Sequence, residues 1–124
     1  MELKSDIDNE NKIEFFVRNF YDNVMKDDLL SIHFQGLDFE HHVPRMVQFW
    51  SFVLLDKPGY TGNVFDKHVH LNIGEEDFGR WLKHFHEVMD ANFSGEKANF
   101  AKERADLLGY TFESKLRQIK GSKN

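Results

Sequence analysis

Apolar residues recur every three to four positions through most of this chain, and nowhere do they alternate over a stretch long enough to make a strand. That period lines one face of a helix, because each helical residue turns about 100°. Residues 75–93, EEDFGRWLKHFHEVMDANF, show it most clearly. Phe78, Trp81, Leu82, Phe85, Val88 and Met89 share one face, and Glu75, Glu76 and Asp77 occupy a first turn that favours carboxylates. Residues 10–27 place Ile13, Phe16, Val17, Phe20, Tyr21, Val24 and Met25 in the same way. Residues 41–55 carry Met46, Phe49, Trp50, Val53 and Leu54, with Pro44 expected in the first turn, where its missing N–H costs little. Ser94 is the expected cap of a last helix whose face is Ala101, Ala105, Leu108, Phe112, Leu116 and Ile119. KDDLLSIHFQGLD reads as a break. DKPGYTGNVFDKHVHLNIG is rich in turn residues and has room only for a short helix around 64–70. The fold expected is all-α, with four principal helices and a short one.

A chain of 124 residues is read as a single domain spanning 1–124, with a polar N-terminal arm over 1–9 and a flexible basic tail over 119–124. Phenylalanine (13) outnumbers leucine (11), which suits either simple packing or a core shaped around a flat aromatic ligand. A net charge of −5 argues against binding nucleic acid through its phosphates. Cysteine is absent, which excludes disulfides, thiolate catalysis, iron–sulfur clusters and covalent haem attachment. The start, MELKSDIDNENK, is too acidic for a signal or transit peptide, and the longest apolar run, FWSFVLL, is too short to span a bilayer. A cytoplasmic protein with no membrane partner is expected.

The seven histidines divide by position. On a helix His68 and His70 point to nearly opposite sides, so they cannot chelate one metal together. His84 and His86 meet the same objection, and beside Phe85 they read as surface residues. His33 has no partner that the sequence can name. In EHHVPRMVQFW, steps of four, seven, eight and eleven from His42 reach Met46, Phe49, Trp50 and Val53, whereas steps of four and seven from His41 reach Arg45 and Gln48. His42 therefore faces the core and His41 faces water. Tyr21 and Trp81 also bring polar tips into apolar faces, and such tips need partners: backbone, one another, or a ligand.

Five fragments in order resemble the third group of the truncated haemoglobins, over about residues 10–118. NFYDNV is similar to the first-helix stretch that bears a distal tyrosine, and SIHF to the loop whose phenylalanine packs on haem. DFEHHVPRMVQFW resembles the distal-histidine segment. YTGNVFDKHVHL and DFGRWLKHF resemble the proximal-histidine stretch and the helix after it. Gly59, Gly62 and Gly74 stand singly, as in the third group, without the double-glycine motifs of the first two.

The resemblance implies a two-over-two helical sandwich around one non-covalent haem b. It implies His68 as the proximal iron ligand, with His70 as a competitor. Tyr21, His42 and Trp81 match the distal donors to a diatomic ligand, with His42 also a candidate gate. Phe34, Met46, Phe49 and Trp50 would supply pocket wall, and Arg45, Arg80 and Tyr60 are candidates to hold the propionates. The implied function is binding of O2, NO and CO. Chemistry on bound oxygen, of nitric oxide dioxygenase or peroxidase type with an external reductase, is expected rather than bulk transport. A monomer or weak dimer is expected. Two other readings stand beside it: a haem-based sensor or carrier acting with a partner, against which the absence of an output domain weighs, and a haem-free helical interaction module.

Overall fold

A computed structural model of the chain describes residues 4–36, 38–58 and 74–121, with the side chains of 112 and 116–121 left aside. Every regular element among the described residues is helical: α1 (Glu10–Met25), α2 (Asp28–Ser31), a 3-10 turn (Ile32–Phe34), α3 (Phe39–Leu55), α4 (Glu75–Asn92) and α5 (Glu96–Gly121). The short helix expected around 64–70 lies outside the described residues, as do the side chains of Phe112, Leu116 and Ile119.

The start signals are side chains. Asn9 accepts from Lys12 N at 3.0 Å to open α1, Asp27 from Leu29 N at 3.0 Å to open α2, and Asp38 from Glu40 N at 3.1 Å to open α3. Asp77 reaches back to Gly74 N at 2.8 Å and closes the first turn of α4. At the far end of α3, Asp56 turns left-handed (φ 56°) and stops the helix.

Four features differ from those expected. Helix α3 begins at Phe39, because Asp38 caps it, so Pro44 falls in the second turn rather than the first. Val43 and Val47, which the expected stripe left out, belong to its buried face. The stretch after Met25 is not a plain break but one turn of α-helix followed by a 3-10 turn. Ser94 does not cap the last helix. Asp6 does so from across the fold, its carboxylate accepting from Lys97 N at 2.9 Å and Ala98 N at 2.8 Å. That helix runs to Gly121, so residues 119–121 of the segment read as a tail are helical.

Packing follows the faces that the periodicity marks. Helix α1 lies on α3 and on α4, α4 lies on α5, and α3 also meets α5. These are two helix pairs, α1 with α3 and α4 with α5, stacked on one another as a two-over-two sandwich. At the crossing of α1 and α4, Phe16 and Phe85 meet edge to face at 4.8 Å, with Phe20 5.7 Å from Phe85. Phe16 and Phe85 are almost wholly buried, and each such side chain stabilises the fold by roughly 1.5–3 kcal/mol through removal from water. Ile7, in the arm preceding α1, is fully buried as well.

Candidate functional site

The same helices that close the core leave a chamber between the two pairs. Its walls come from Phe16, Val17, Phe20 and Tyr21 of α1 and from Leu30, His33 and Phe34 of the α1–α3 connector. Met46, Phe49 and Trp50 of α3 and Asp77, Phe78, Trp81 and Phe85 of α4 continue them, and Leu108 and Gly109 of α5 complete them. Met46 and Phe49, expected in a buried stripe, are only half-buried because they face this chamber. Trp81 is half-buried for the same reason, its ring lying 5.5 Å from Phe20 and 5.6 Å from Phe85.

The best-defined polar feature is at Tyr21. The first-helix period turns its ring inward among Phe20, Phe34 and Phe39, with centroids 5.2–5.9 Å away. Its hydroxyl lies 2.6 Å from His42 Nε2, and the two rings meet edge to face at 5.0 Å. Burial pushes the phenol's pKa well above its ordinary value, so it remains a protonated donor. The tautomer of His42 decides the direction of this bond. When Nε2 carries the proton it donates to the phenol oxygen and leaves the tyrosine O–H free to donate elsewhere. His41, one residue earlier, is exposed and paired with Asp38 at 2.6 Å, as the spacing of its neighbours implied.

The structure thus brings Tyr21, Phe34, Met46, Phe49, Trp50 and Trp81 to one chamber, with His42 bonded to its tyrosine. It does not bring the two arginines there. Arg45 is exposed on α3 and lines no part of the chamber. Arg80 turns away, its Nη1 donating to Asp27 at 3.0 Å. Tyr60, His68 and His70 lie outside the described residues.

Three further carboxylate–imidazole pairs went unseen in the sequence. His84, read as a surface residue, is largely buried and donates from Nε2 to Asp27 Oδ2 at 2.8 Å. His33 donates from Nε2 to Asp77 Oδ1 at 3.2 Å, and both of these side chains are largely buried beside the chamber. His86, also read as a surface residue, is partly exposed and donates to Asp106 at 2.7 Å. One local signal was present: Arg80 and His84 are four apart on one helix face, so a single acidic group can serve both.

Chemically, a largely apolar chamber that presents a phenol and an indole, with the His33–Asp77 pair at one side, suits an apolar ligand that also carries a polar group. Its volume, about 90 Å³, is small beside the ~300–1,000 Å³ of most ligand sites.

The model of the bacterial-like globin family matches residues 5–111. A protein described as group 3 truncated hemoglobin ctb, from Campylobacter jejuni, is 27% identical over 126 residues, spanning 96% of this chain and 99% of that protein. A crystal structure of group III truncated hemoglobin from Campylobacter jejuni superposes with a TM-score of 0.83 at 28% identity, over 92% of this chain and 95% of that one.

Proposed function

Because the chain belongs to the bacterial-like globin family, whose function is haem binding, we propose that it holds one non-covalent haem b and binds O2, NO and CO there. His68 is its proximal ligand in this reading, with Phe34, Met46, Phe49 and Trp50 against the macrocycle. Haem supplies an iron that takes up diatomic ligands reversibly. The protein's own residues decide how long such a guest stays. Tyr21 donates from its O–H, His42 orients that O–H by donating to its oxygen, and Trp81 adds an indole N–H to the same wall. The surrounding phenylalanines exclude water that would compete for these donors.

Several donors around one small guest slow its departure. That suits chemistry on oxygen, of nitric oxide dioxygenase or peroxidase type with an external electron donor, better than bulk delivery. For the propionates, Arg45 is the candidate this reading retains, together with Tyr60; Arg80 is committed to Asp27.

The observation that supports this reading best is the 2.6 Å contact between Tyr21 and His42, with the Tyr21 ring set among Phe20 and Phe34 of the chamber wall. Tyr21→Phe tests it. Loss of a hydrogen bond to a partly charged guest, worth about 1.5–3 kcal/mol, is expected to speed O2 dissociation by one to two orders of magnitude in stopped-flow measurements. An unchanged rate removes Tyr21 from the donors.

A further inference from the structure

The connector between α1 and α3 carries three chamber residues, Leu30, His33 and Phe34, yet it holds only a four-residue helix and a three-residue 3-10 turn. Turns this short cannot hold themselves together in water, because nucleation costs more than so few hydrogen bonds return. Their position has to come from tertiary ties, and α4 supplies two.

The first is Asp27, whose side chain is only 5% exposed. One of its oxygens accepts from both His84 Nε2 and Arg80 Nη1, and the other accepts from Leu29 N. Its backbone carbonyl accepts from Leu30 N at 3.1 Å and Ser31 N at 2.8 Å. One residue therefore caps the short helix and fastens it to α4. The second tie is His33 on Asp77, which also closes the first turn of α4. Beyond the 3-10 turn stands Gly36, with φ +79° and open space around it, a backbone that costs glycine nothing and most residues something. This wall of the chamber has side-chain fastenings rather than a long helix of its own.

We propose that residues 27–36 form a hinged wall of the chamber, and that Asp27, His84 and Arg80 are positioning residues whose contact sets how far Leu30 and Phe34 stand over it. The fastening lies on the outer side of the chamber, where Asp27, Arg80 and His84 border an open surface groove with Lys26 and Glu87. Changes at that groove alter the chamber through the connector. The hinge rests on geometry alone; its effect on gas entry rests on the haem reading above.

Hydrogen exchange on the protein as purified tests the hinge. His84→Ala and, as the milder change at a half-exposed side chain, Arg80→Ala are expected to speed exchange at the amides of 29–34 by about tenfold. Protection in α1, α3 and α5 should stay as it was, and His84→Gln, which keeps a donor, should restore much of the loss. Exchange that is unchanged in 29–34, or that rises equally in every helix, overturns the proposal. Flash photolysis of the CO complex gives the second arm: association is expected to become severalfold faster in both alanine variants, and an unchanged rate refutes control of the chamber by this wall. A protein that takes up no CO defeats the haem reading, and the exchange data still judge the hinge.

Discussion

At Asp27 burial and ionic bonding pull in opposite directions. Burial alone would favour the neutral acid, but the hydrogen bond from His84, followed by that from Leu29 N–H and the charge and bond of Arg80, holds the carboxyl below the usual carboxylate range. A depressed folded-state pKa contributes stability that is fully present above the unfolded value of about 3.9 and is lost as pH falls through the folded one. Asp27→Asn should therefore destabilise the protein at pH values above about 5, with the difference from wild type narrowing below about pH 4. Chemical denaturation across that range checks this, and a difference as large at pH 3 as at pH 6 contradicts it. The pair Asp27–His84 spans 57 positions, which is why neither residue declared itself in the sequence. Local spacing reports which face a residue occupies, not which distant group waits there.

Among the elements, α4 was the most legible. Its marked face includes Phe78, Phe85, Val88 and Met89, all of them buried, while Trp81 and Leu82 remain partly open because that face also borders the chamber and α5. Helix α5 shows the limit. Its buried Ala101 and Ala105 follow from spacing, but its cap comes from Asp6, ninety-one positions before Lys97. The approach is tight: a Cβ on Gly95 would stand 2.5 Å from Asp6 Cγ, and the φ of +141° there is itself one that glycine tolerates. Asp6→Ala removes both acceptors and is expected to cost about 1–2 kcal/mol, the upper part of the range for a lost cap, read as a lower midpoint in urea. A variant as stable as wild type would mean that the arm contributes nothing to the last helix.

For the whole molecule, the order of helices and the inward faces were readable because period and capping chemistry are local properties. The chamber was readable only through resemblance, since Tyr21 and His42 meet across α1 and α3, and nothing in the spacing of either helix fixes that crossing. The two arginines illustrate the same point: both were candidates on exposed faces, and only tertiary packing turned Arg80 toward Asp27 and left Arg45 in the open. The acidic start and the run of helical stripes suit a fold of this size, and none of the described helices is long and apolar enough to cross a membrane. Everything said of gas binding depends on iron held by one imidazole. Visible absorption of the purified protein and of His68→Ala, each reduced and exposed to CO, tests that dependence most directly. A wild-type Soret band that shifts sharply with CO, lost or altered to a histidine-free form in the variant, is the expected result; a colourless wild type that refuses added haemin, or a variant with an unaltered spectrum, contradicts it.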